Sequence, residues 1–208
     1  ASMGNRLAVD SAGCVYLGGS THFMGFPTTG VFQPTFGGGS SDAFVAKLTQ
    51  SGDLSYWTYL GGSDYDMCRG IALTSSGEAC LCVETYSSNF PTRNALQPTK
   101  RATFDTAVVV VGASGGDLVF STYLGGNSHD YPKGIAWGAS PCLYVTGTTM
   151  SSDFPLRNAI HSSFTPAPAS VAVGYLTRFD LDGAPSPPAP PPTPVAAEVV
   201  VGLGSFPS

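Results

Sequence analysis

Markers spaced 64 residues apart run through this chain. Thr58-Tyr59-Leu60-Gly61-Gly62 recurs as Thr122-Tyr123-Leu124-Gly125-Gly126, and Gly70-Ile71-Ala72 recurs as Gly134-Ile135-Ala136. Phe26-Pro27 returns at Phe90-Pro91 and Phe154-Pro155. Val31-Phe32-Gln33-Pro34-Thr35 has counterparts in Ala95-Leu96-Gln97-Pro98-Thr99 and Ala159-Ile160-His161. A fixed period of this length means one supersecondary unit stacked on copies of itself, because a single copy cannot bury its own apolar face.

Each period predicts four antiparallel strands. The first is Leu7 to Asp10, then Ile71 to Thr74 and Ile135 to Trp137. A short turn carrying Ser-Ala-Gly or Ser-Ser-Gly follows, in which Gly supplies a positive φ. The second is Val15 to Ser20, matched by Leu81 to Thr85 and Leu143 to Thr148. An insertion of about 20 residues precedes the third, Ala43 to Leu48, matched by Ala107 to Val111 and by Val171 to Phe179. The fourth, Leu54 to Leu60 and Leu118 to Leu124, alternates: Leu54, Tyr56, Thr58 and Leu60 face one way, Ser55, Trp57 and Tyr59 the other. Abundant Gly (26) and Pro (17), with charged residues at only 11%, agree with many short strands and tight turns. Four-stranded units stacked face to face are the blades of a β-propeller. The expected architecture is all-β, with residues 5–69 as blade one, 70–133 as blade two and 134–182 as an incomplete blade three.

The residues that carry the repeat also carry a resemblance. The run A-V-D-S-A-G-x-V-Y-L-G-G-S-T, then F-P-T, F-Q-P-T, G-G-G-S-S-D-A-F-V-A-K-L and T-Y-L-G-G, resembles the seven-bladed β-propeller repeat family over about residues 5 to 182. Blade two departs at Lys100 to Thr103, where the Gly-rich turn is lost. Blade three puts Thr165-Pro166-Ala167-Pro168 there and lacks T-Y-L-G-G. The resemblance implies a secreted or cell-surface protein.

Three blades do not close a ring, for which four is the usual minimum. If each open face exposes about 300 to 600 Å² of apolar surface, covering it is worth on the order of 10 kcal/mol. The expected partners are therefore further blades, a second copy or another subunit. Residues 184–194 read A-P-S-P-P-A-P-P-P-T-P, a polyproline spacer. Residues 195–208 form a tail whose Glu198-Val199-Val200-Val201 has strand composition. It would either complete blade three, add to a neighbour's edge, or lead into a further domain. No signal-peptide pattern opens the sequence, so such a leader is either absent or already removed, and the chain reads as a fragment or processed piece.

Charge and motifs narrow the chemistry. A net charge of −5, a pI near 4.9 and nine scattered Lys and Arg leave no basic stripe for nucleic acid. The longest apolar runs, Ala107 to Val111 and Val195 to Val201, are far shorter than the roughly 20 residues of a membrane helix. Five Cys cannot all pair, and Cys80-x-Cys82 lacks a second pair at zinc spacing; most read as buried apolar side chains, with one disulfide from Cys68 to Cys80 left open. Nucleophile, zinc-protease, P-loop and dinucleotide motifs are absent, so no enzyme is expected. The runs Ser63-Asp64-Tyr65-Asp66 and Asn127-Ser128-His129-Asp130 follow each T-Y-L-G-G. They place Asp64, Asp66 and Asp130 at a channel mouth, either as Asx-turn acceptors or as ligands to a hard cation such as Ca²⁺. The insertions carry the expected recognition residues His22, Met24, Arg93, Lys100, Arg101 and Arg157, while Phe26, Phe90 and Phe154 pin each loop to its blade. The expected function is protein or glycan binding or scaffolding, with no cofactor. The alternatives are a subunit assembling through open faces and tail, and an enzyme using Asp66 with Asp130.

Overall fold

The computed structural model describes residues 2–138, 141–156, 172–181 and 197–200. Those residues form three antiparallel sheets and no helix. The first comprises β1 (Ser2–Val9), β2 (Val15–Thr21), β3 (Asp42–Leu48) and β4 (Leu54–Leu60), paired in chain order. The second repeats it with β5 (Asp66–Leu73), β6 (Ala79–Thr85), β7 (Asp105–Val111) and β8 (Leu118–Leu124). The third holds β9 (Asp130–Trp137), β10 (Cys142–Thr149) and β11 (Val173–Asp180), with the short β12 (Ala197–Val200) along the free edge of β11. The tail thus pairs within its own chain, Leu176 opposite Val200 and Phe179 opposite Ala197. The sheets stack without closing, as separate propeller-like units.

The first strand of each sheet begins earlier than its apolar stretch, because it carries a bulge. The register slips at Asn5, Arg69 and Lys133, each skipped in the pairing with the next strand. These positions are 64 apart and polar, so periodicity of apolar residues does not reveal them. At the far end of the same strands the hairpins close on Gly13 and Gly77, whose φ of 80° and 84° suits only glycine, each N–H donating back to Asp10 or Thr74.

Strand alternation sorts the core into two layers. Leu81, Val83, Ala107, Val109 and Val111 of the second sheet meet Tyr16, Ala43, Val45, Tyr56 and Leu60 of the first. Its opposite face, Cys80, Cys82, Val108, Val110 and Phe120, meets Leu143, Val145, Tyr175 and Phe179 of the third. Buried on both faces, β6 and β7 read as continuous apolar runs. All five cysteines carry free thiols, and burial pushes the Cys68 thiol up to about 12.

The insertions between second and third strands are pinned by a repeated glutamine. Gln33 accepts from the Gly61 N–H and donates to the Gly61 carbonyl, while its backbone bonds Thr58 and Tyr59. Gln97 accepts from Gly125 N–H and bonds Thr122 and Tyr123 in the same way. Phe26 stacks on Trp57 at 3.7 Å, and Phe90 and Phe154 are buried. The first two loops are therefore held by their own blades.

Candidate functional site

Each pinned insertion ends on an aspartate that opens the third strand of its sheet, Asp42 or Asp105. Each T-Y-L-G-G loop ends on an aspartate that opens the first strand of the next sheet, Asp66 or Asp130. Stacking brings them together at the interfaces, Asp42 with Asp66 and Asp105 with Asp130, and all four are fully buried.

The two corners share one bonding plan. Asp42 Oδ2 accepts from Gly37 N–H at 2.6 Å and Gln33 Nε2 at 3.4 Å; Asp105 Oδ2 accepts from Arg101 N–H at 2.9 Å and Gln97 Nε2 at 3.3 Å. Asp66 Oδ2 accepts from Gly62 N–H and Ser87 Oγ, both at 2.8 Å; Asp130 Oδ2 accepts from Gly126 N–H and Ser151 Oγ, also at 2.8 Å. The other oxygen of every one of these carboxyls, Oδ1, is buried and makes no hydrogen bond. The Thr85 and Thr149 hydroxyls beside Asp66 and Asp130 favour the ionised forms, while their oxygens accept from Ser87 and Ser151 N–H.

Loss of hydration dominates the electrostatics. It pushes Asp42 up to about 7 and Asp66 and Asp105 up to about 6, against the opposing N–H bonds; repulsion from Asp66 adds to Asp42, and from Asp130 to Asp105. Asp130 is raised for the same first cause. A carboxyl with no exposed surface offers a substrate nothing to touch, so the corners suit an enclosed ion or a shared proton rather than general acid-base work.

Around this end runs an aromatic ladder. Tyr65 meets Tyr86 at 5.6 Å, Tyr86 meets Phe104 at 4.8 Å, and Phe104 meets His129 at 4.5 Å and Tyr131 at 4.6 Å. At the opposite, hairpin end lies a groove of about 360 Å³ lined by Ser75, Ser76, Glu78 and Trp137. A second groove of about 580 Å³ adds Asp10 and Lys47 to Ser75, Ser76 and Trp137.

The residues singled out from sequence fall as follows. His22, Met24, Arg93 and Arg101 are exposed on the insertions, with Met24 the most open at 74%. Lys100 bonds the carbonyls of Tyr86 and Thr103. Arg157 lies outside the described residues. Asp64 is exposed at the rim, with Asp66 buried beneath it and raised slightly by its charge. Asp66 and Asp130 sit at successive interfaces, each beside another aspartate. Sequence reasoning missed those partners, Asp42 and Asp105, because they are 63 rather than 64 positions apart: the second insertion is one residue shorter. Aligning the third strands with a gap exposes them.

Comparison with models of protein families and with curated proteins returns no match.

Proposed function

We propose that this chain is a run of blades of the seven-bladed β-propeller repeat type, acting without catalysis as a protein- or glycan-binding scaffold outside the cell or at its surface. The observation that carries the reading is the open face of the first sheet. Leu7 and Val9 are 68% and 56% exposed there, whereas their repeat equivalents Ile71 and Leu73 pack against the core under the first sheet. Phe44, Ala46 and Tyr59 on the same face are already buried, so it is the β1 side of the face that is bare where its repeat counterpart is covered; a strip of neighbouring apolar side chains left open in this way calls for another blade of the same kind. The third sheet's outer side, with Thr146 and Arg178 flanking Leu176, is more polar.

The ligand surface in this reading is the exposed insertions together with the hairpin-end grooves. The decisive measurement is light scattering across a dilution series, comparing the natural chain with a Leu7→Glu/Val9→Glu double variant. Self-association or binding of adjoining repeats that the double variant abolishes supports the reading. A chain that stays monomeric at every concentration and binds no added blade of the same repeat type rejects it.

A further inference from the structure

We propose that the two interface corners are cation sites, Asp42 with Asp66 and Asp105 with Asp130 each holding one hard divalent cation of the calcium class through their unpartnered Oδ1 atoms. The inference is independent of what the blades bind.

Three observations carry it. The same orphaned atom recurs at all four positions, and each lies on a residue with no accessible surface. A buried carboxylate oxygen without a donor costs its full desolvation, so a repeated one calls for a ligand. Each carboxyl is held from behind through Oδ2 by backbone N–H, glutamine or serine, so its Oδ1 does not need to be ordered on binding. A glycine also backs each corner. A Cβ on Gly61 would lie 2.5 Å from Asp42 Oδ1, and one on Gly125 would lie 2.8 Å from both Asp105 Oδ1 and the bonded Asp130 Oδ2, so at the second corner the two carboxyls meet against the same backbone.

Chemistry selects the ion. The donors are carboxylate oxygens, and among the described residues no His, Cys or further acid joins either pair. Oxygen alone disfavours zinc, and two carboxylates match a divalent charge. Carbonyl and water oxygens would complete the shell, which the loose geometry of calcium accepts more readily than the strict octahedron of magnesium.

The test uses the full chain, stripped with EDTA, desalted, and titrated with CaCl2 alone at pH 7.5. Two calcium ions retained per chain by elemental analysis, with a rise in Tm of about 5 °C at saturation that EDTA reverses, is the expected result. Asp42→Asn and Asp105→Asn should each lose one of the two ions. Should a variant fail to fold, tyrosine-sensitised terbium luminescence of the natural chain reads the same sites, because Tyr123 adjoins the first corner through Ser87 and Tyr175 adjoins the second through Thr106. No retained ion and no Tm shift with calcium, magnesium or manganese overturns the proposal in favour of a shared proton. A shift equal for calcium and magnesium and unchanged in both variants also overturns it, as general charge screening.

Discussion

The two corners present the same carboxyl pair on unlike loops. At the first, the loop is Gly37-Gly38-Gly39, with Gly39 at φ +62°, lying so close to the next strand's entry that a Cβ there would sit 2.5 Å from Asp64 Cα. At the second, Arg101-Ala102-Thr103 takes its place with no residue of positive φ, and Lys100 just before it ties the loop down by reaching the Tyr86 and Thr103 carbonyls. Both loops still deliver one backbone N–H to the carboxyl below, Gly37 or Arg101. The corner therefore depends on the glutamine clamp and on main-chain donors, which leaves loop composition free to diverge. What divergence changes is charge: Lys100 lowers Asp105, and Asp42 has no such neighbour.

The largest effect that separates the corners is on pH dependence in EDTA, where protons alone are read. Asp42, Asp66 and Asp105 titrate at about 7, 6 and 6 in the folded chain, above the 3.8 of a free aspartate. The folded state thus holds protons that the unfolded state has lost, and the stability this supplies is complete below about pH 4 and gone above about pH 7. Urea denaturation should show a fall of up to about 10 kcal/mol across that window. Asp42→Asn should remove the part of the slope nearest pH 7, and Asp105→Asn the part centred near pH 6. Equal changes in the two variants would abolish the contrast drawn between the loops.

Packing gives the next effect. Leu81 and Val145 occupy the same repeat position at the first and second interface, both fully buried. Leu81→Ala should cost about 3 kcal/mol, and Val145→Ala about 1 kcal/mol less because it removes one methylene fewer. Denaturation midpoints at constant m-value check the pair. Gly39→Ala should cost about 2 kcal/mol from its positive φ and the close backbone, whereas Ala102→Gly should cost well under about 1 kcal/mol in a loop. Thermal unfolding of both reads the difference. Smallest is Lys100→Met, expected to cost about 1 kcal/mol for two lost carbonyl bonds. It should also move the pH profile of the second corner towards that of the first.

Much of the architecture was legible in the chain. The shift of 64 and the alternation of Leu54 to Leu60 lead to four strands per unit, and Tyr56 and Leu60 do face the neighbouring sheet. The Pro-rich segment lies outside the described residues, yet the strand composition of Glu198-Val199-Val200 is realised as β12 on β11. The bulges at Asn5, Arg69 and Lys133 stayed hidden, since a skipped residue leaves no mark in apolar periodicity. At the site, Asp66 and Asp130 stood out by their common spacing, while Asp42 and Asp105 did not.

Period, strand number and which side chains share a sheet face follow from the order of residues, because backbone alternation and turn chemistry act over a few neighbours at a time. The pairing of Asp42 with Asp66, 24 positions on, depends instead on how far one sheet is rotated over the next and on where a loop of 20 residues lands. Those are outcomes of packing between surfaces, and no local rule encodes them.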